Sequence, residues 1–283
     1  MSAPTSTKIR RFALPLVAAL ALVAPPAAAN VCERTVGGLA TGPLPLGFGP
    51  GTFGMPRRAC PRTEVFVGAM GGAVVEPQNF YGNLHGSALV GGSLALSPRL
   101  EVFGAIEPVL YRTVIASFSA SHLGVGHSSL GATLGVLSSR HLVVGIVSQA
   151  TLPTAVGYYK NAFPVGLESG VVLALMPLDF VRLYAQASGL GSFMVSSGDA
   201  DPRAGLLAVG GGELVLADWV SLVGELRAQG LYDADLDALS AGAGVRARIW
   251  EGLAIEGGLL FPLAGRERSL GVAELRLSHH FSP

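Results

Sequence analysis

Val220-Ser-Leu-Val-Gly-Glu-Leu-Arg-Ala-Gln229 changes character at every step. Val220, Leu222, Gly224, Leu226 and Ala228 are apolar or small, and Ser221, Val223, Glu225, Arg227 and Gln229 hold all of the polarity. Successive side chains of a strand point to opposite faces, so the stretch predicts a strand with one apolar and one polar side. The same alternation sets Val245, Ala247 and Ile249 against Arg246 and Arg248, and Leu253, Ile255, Leu259 and Phe261 against Glu256. It sets Ala273, Leu275, Leu277 and Phe281 against Glu274, Arg276 and Ser278. Earlier in the chain Val181, Leu183 and Ala185 oppose Arg182, Tyr184 and Gln186, and Leu100, Val102 and Ile106 oppose Glu101 and Glu107.

These segments come in pairs joined by short polar hinges. The hinges are Ser97-Pro98-Arg99, Ser138-Ser139-Arg140, Pro177-Leu178-Asp179, Ala217-Asp218-Trp219 and Trp250-Glu251-Gly252. They recur about every 40 residues, the length of two membrane-crossing strands of roughly 10 residues with a short turn and a longer loop. Twelve strands are expected, near 63–75, 86–97, 100–111, 123–137, 141–152, 165–176, 180–193, 204–216, 219–231, 240–250, 253–263 and 270–281. In the second, fourth and sixth segments Gly and Ala occupy both faces and the alternation is weaker. Longer connections are expected at Phe80 to Ser87, Thr113 to His122, Thr154 to Pro164, Ser196 to Arg203 and Tyr232 to Leu239.

Composition narrows the class. Half of the residues are hydrophobic and only 13% are charged, against about 25% charged in a soluble domain. After the N-terminus no apolar run reaches the roughly 18 residues of a helical span. High hydrophobicity spread over alternate positions predicts an antiparallel transmembrane β-barrel of about 12 strands, with short periplasmic turns and longer external loops. A soluble sandwich with its charged face outward is the competing class. Aromatic placement favours the barrel. Phe180, Trp219 and Trp250 stand at the hinge ends, and Tyr111, Tyr158, Phe163, Phe193, Tyr232 and Phe261 at the far ends, as two interfacial girdles require.

Residues 1–29 read as a signal peptide: Lys8, Arg10 and Arg11, an apolar run from Phe12 to Val23, then the small residues Ala27 to Ala29. Residues 30–62 form a Gly/Pro-rich periplasmic segment, a tether or a plug, and 63–283 the barrel. Cys32 and Cys60 are the only cysteines. In an exported chain an even pair predicts a disulfide, worth about 3–4 kcal/mol by loop-closure entropy. The 19 basic and 19 acidic residues cancel, which gives no electrostatic reason for a nucleic-acid partner.

Ala273-Glu-Leu-Arg-Leu-Ser-His-His-Phe281 resembles the closing strand of Gram-negative outer-membrane β-barrel proteins, which ends in an aromatic residue. The resemblance extends over the pattern from Thr63 onward and supports the porin-like superfamily without selecting a member. It implies an outer-membrane location, contact with outer-membrane lipids, and recognition by the barrel assembly machinery near Phe281.

The polar faces would line a lumen. They carry Glu64, Glu101, Glu107, Glu168, Glu213, Glu225, Glu256 and Glu274 against Arg182, Arg227, Arg246, Arg248 and Arg276. Glu225 and Arg227 are expected beside Arg246 and Arg248, followed by Glu256 and then Glu274 with Arg276. Such a band either cross-braces the wall or forms a constriction for small polar solutes. No cofactor or metal is expected, because no zinc spacing or phosphate loop is present. A lipid hydrolase would need Ser and His together on the outer face, and His122 with Ser119 or Ser121, or His127 with Ser128, are the candidates. A structural or surface-recognition barrel with an occluded lumen is the third possibility.

Overall fold

The computed structural model describes residues 59–76, 81–115, 119–152, 154, 162–196, 200–231, 236–265 and 268–281. The expected signal peptide, Cys32 and most of the Gly/Pro-rich segment lie outside the described residues. Everything regular within them is strand: β1 (Glu64–Glu76), β2 (Tyr81–Ser97), β3 (Leu100–Ile115), β4 (Ser119–Gly124), β5 (Ser128–Ser138), β6 (Leu142–Leu152), β7 (Ala162–Leu178), β8 (Val181–Ser196), β9 (Ala200–Ala217), β10 (Val220–Leu231), β11 (Leu236–Trp250), β12 (Leu253–Ala264) and β13 (Arg268–His280). Each strand pairs antiparallel with its neighbours, and β1 pairs with both β2 and β13, so the sheet closes. β4 and β5 both lie along β3, with Gly124 opposite Leu110 and Ser128 opposite Ile106. They are two halves of one wall strand, broken at Val125 to His127. The wall therefore has twelve strands, as the sequence predicts.

The hinge ends fall within two residues of expectation, whereas the far ends run up to five residues longer. Phe80 to Ser87, for instance, was expected as a loop, yet pairing already starts at Tyr81 opposite Glu76. The ladder satisfies backbone groups whatever the side chains, so strands continue past the apolar belt and the connecting loops shrink. Chain reversal at the hinges is tight. Gly252 follows Glu251 with φ 78°, a left-handed conformation that a side chain disfavours.

Alternation holds face by face. On β10, Ser221, Val223, Glu225, Arg227 and Gln229 are buried inside and Leu222, Gly224 and Leu226 are exposed outside. The outer surface carries exposed Leu, Val and Ile on nearly every strand, the arrangement that lipid stabilises and water does not. Phe180, Trp219, Trp250 and Phe281 are exposed at the hinge end, and Tyr111 and Phe261 at the other. The side chains of Tyr158, Phe163, Phe193 and Tyr232 lie outside the described residues.

Three inward aromatic rings lie across glycines directly opposite on the next strand. Phe66 covers Gly91, Phe103 covers Gly131 and Tyr184 covers Gly211. A β-carbon on Gly211 would stand 2.3 Å from the Tyr184 ring, and one on Gly131 2.4 Å from Phe103. These glycines are seats for rings, which offset the weakness that Gly brings to a strand. Gly211→Val should therefore lower the unfolding temperature measured by heat-modifiable gel migration, with Gly210→Val, which meets open space, nearly silent. On the outer face Leu226→Arg should cost about 2–4 kcal/mol in urea unfolding from lipid vesicles, and Ala247→Ser little.

Candidate lumen site

The closed wall brings the predicted charges into one alternating ladder. Arg182 on β8 lies 3.4 Å from Glu213 on β9. Arg246 on β11 reaches over β10 to the same carboxylate at 3.0 Å and donates from Nε to Glu256 on β12 at 2.9 Å. Ser221 on the intervening strand donates to Glu213 at 2.5 Å. Glu256 stands directly opposite Arg276 on β13, and Arg276 pairs with Glu64 on β1. Glu64, Arg276, Glu256, Arg246, Glu213 and Arg182 thus alternate in sign around half the barrel. Arg276 also lies 4.1 Å above the Phe66 ring, a cation–π contact that fixes its plane.

A second layer sits towards the far end. Arg227 donates to Glu225 at 2.8 Å, and the Tyr184 hydroxyl donates to the other Glu225 oxygen at 2.9 Å. In the β10–β11 register Glu225 stands opposite Gly242 and Arg227 opposite Ser240. Ser221, not Glu225, stands opposite Arg246 in the β10–β11 register, which moves Arg246 down to Glu213. Glu274 stands opposite Gly258 and Met70, and its Oε2 has no hydrogen-bond partner among the described residues. Arg248 is exposed at the hinge-end mouth, where it lines a cleft with Arg62, Asp218 and His280. The same cleft is lined by Arg182, Glu213, Arg246 and Glu256, so Arg248 stands at the mouth end of the ladder.

A third cluster escaped the sequence reading. Gln149 on β6 and Gln186 on β8 donate to the two oxygens of Glu168 on β7, at 2.8 and 2.5 Å, and Gln186 also donates to Ser188 at 2.9 Å. The signal was the inward phase of these amides, which a search restricted to charges passes over. Apolar side chains fill another stretch of the inner wall, where Phe103, Val143, Val147, Val172, Ala174 and Met176 are buried on strands that also bury Glu101, Glu107, Gln149 and Glu168. From Val171 to Met176 both faces of β7 are apolar, which weakens the alternation there.

Of the candidate hydrolase residues, His127 is buried beside Glu107, whose carboxylate accepts the His127 backbone N–H at 3.1 Å. It does not present a nucleophile's base to lipid. The side chains of Ser119 and His122 lie outside the described residues. Among the described residues no cluster of His, Cys, Asp and Glu could hold a metal ion.

A closed antiparallel barrel with an apolar exterior and a charged interior defines an outer-membrane-type β-barrel, and the chain is one. Its fold is similar to that of an outer-membrane channel from Pseudomonas putida F1, with TM-score 0.58 and 13% identity over 78% of this chain and 96% of that one. It is similar as well to the β domain of the Bordetella autotransporter Brka, TM-score 0.57 and 11% identity over 78% of this chain and all of that one. The translocator domain of autotransporter NalP from Neisseria meningitidis gives TM-score 0.51 and 11% identity, over 78% and 88% of the two chains. No protein-family model matches the sequence, and no curated protein does.

Removing Arg246 leaves two carboxylates, Glu213 and Glu256, without their shared cation. Breaking such a buried pair costs about 3–5 kcal/mol, less where water reaches the remaining partner. Arg246→Ala should lower the unfolding temperature more than Arg248→Ala at the exposed mouth, in a thermal melt followed by circular dichroism in detergent.

Proposed function

We propose that the protein is a passive outer-membrane channel for small polar solutes, with the ladder of Arg182, Glu213, Arg246, Glu256, Arg276 and Glu64 as its selective lining. The single observation that carries this reading is the ladder itself. Fixed charges of both signs line a conduit, and they exchange partners with a passing solute at little net change in solvation. In this reading residues 1–29 direct export and are removed, the C-terminal strand ending near Phe281 is the handle for the barrel assembly machinery, and Cys32 and Cys60 form a disulfide. Among the described residues there is no free cysteine, which supports the pairing.

A barrel with an occluded lumen is the second reading, favoured by the depth at which the interior charges are buried. Planar-bilayer recording separates the two. Discrete current steps are expected, with Arg182→Ala shifting ion preference towards cations. A barrel that inserts stably yet passes no current, with or without its N-terminal segment, would overturn the channel.

A further inference from the structure

The carboxylates of the inner wall are matched, with one exception. Glu213 and Glu256 share Arg246, and Glu64 has Arg276. Glu225 has Arg227 on one oxygen and the Tyr184 hydroxyl on the other. Glu101, Glu107 and Glu168 accept N–H donors from Arg62, His127 and the two glutamines. Glu274 on β13 has neither kind of partner among the described residues, and its Oε2 is closed to solvent. The charges that act on it are Arg227, Glu225, Glu256 and Arg276. Two are positive and two negative, and each already has a partner of opposite sign. Glu274 is left over.

Arg227 has donors to spare in the complementary sense. It is 2% exposed and gives only Nη2 to Glu225, while its Nε and Nη1 have no hydrogen-bond partner among the described residues. In the row of Glu274 the wall between the two groups carries only glycine. Gly258 on β12 stands opposite Glu274, and Gly244 on β11 stands opposite Gly258. Both share the inward phase of Glu256 and Arg246. Gly242, opposite Glu225, continues this floor, and buried Leu260 stands opposite Gly242. Neighbouring strands lie about 4.8 Å apart, which sets β10 and β13 roughly 14 Å apart along the wall. Arg227 and Glu274 thus act on each other over glycine without closing to an ion pair.

A buried donor and a buried acceptor that fail to meet are costly, and such groups are satisfied by something held between them. We propose that this strip binds a small zwitterionic solute of the amino-acid type, its ammonium group on Glu274 and its carboxylate on Arg227. A lone cation would leave the Arg227 donors unmet, and a lone anion would leave Glu274 unmet. Only a solute with both charges satisfies both groups, and it does so with no change in the net charge of the lumen. The solute's route to the strip rests on the channel reading, whereas its retention there does not.

Equilibrium dialysis of radiolabelled glycine against the folded full-length protein in detergent tests the site. Glycine should bind. Acetate and ethylamine each carry one of its two charged groups, and each should bind at least roughly tenfold more weakly, the worth of one charge-assisted contact. Glu274→Gln keeps the shape and removes the charge. It should weaken glycine binding by a similar factor of about ten. Because Glu274 has no partner to lose, the same substitution should leave the unfolding temperature undiminished. Glycine held no better than ethylamine or acetate, or equally well by the Glu274→Gln barrel, would overturn the site. A lower unfolding temperature for Glu274→Gln would overturn it too, by showing that the carboxylate is already partnered. In planar bilayers glycine should reduce the current of the unmodified protein and not that of Glu274→Gln. Current steps without glycine binding would uphold the channel and overturn the site. Glycine binding by a barrel that passes no current would uphold the site and remove the channel.

Discussion

The structure depends on the hydrogen-bonded seam between β1 and β13. A sheet surrounded by lipid cannot leave an edge, because each unpaired N–H or C=O in hydrocarbon costs several kcal/mol. Pairing runs from Glu64 opposite His280 to Val75 opposite Arg268, with one irregularity after Ala73. Once that seam exists, every wall strand has two partners, and the alternation of side chains sorts automatically into a lipid face and a lumen face. The distribution of Leu, Val and Ile outside and of Glu and Arg inside is a consequence of closure together with strand parity.

Closure creates the problem that the interior solves. Charged groups confined by a wall lose much of their hydration, and isolated they would be strongly unfavourable. The barrel answers with redundancy. Glu213 has two arginines and a serine, Glu225 an arginine and a tyrosine, Glu168 two glutamines. Rings seated on glycines fill space among these polar contacts, Phe66 beneath Arg276 and Tyr184 beside Glu225. Polar pairing and apolar packing thus share the same inner wall.

Much of the fold was legible in residues such as Val220 to Gln229, since period-two alternation states both the element and its faces. Hinge ends were legible too, because Pro98, Asp179, Asp218 and Glu251 interrupt the pattern sharply. The far ends were not, because backbone pairing continues without regard to side-chain polarity. The identity of the lumen charges was readable from parity, but not their partners. The β10–β11 register sets Arg246 opposite Ser221 and within reach of Glu213, and single-strand patterns hold no information on that register. The inward phase of β7 was hard to read from Val171 to Met176, where Val, Leu and Ala on both faces erase the contrast on which the reading relies.

The ion pair of Glu64 with Arg276 has a bearing on the order of events during assembly. Its partners are 212 positions apart, one in the first strand and the other in the last. Glu64 meets Arg276 only once β13 has been laid against β1 and the cylinder is shut. Contacts this remote in the chain form late, after the entropy of bringing the ends together has been met. Until then Arg276 has Glu256 opposite it on β12, whereas Glu64 waits for its arginine. The pair is thus a latch that engages only when the two edges meet, and opposite charge draws those edges together.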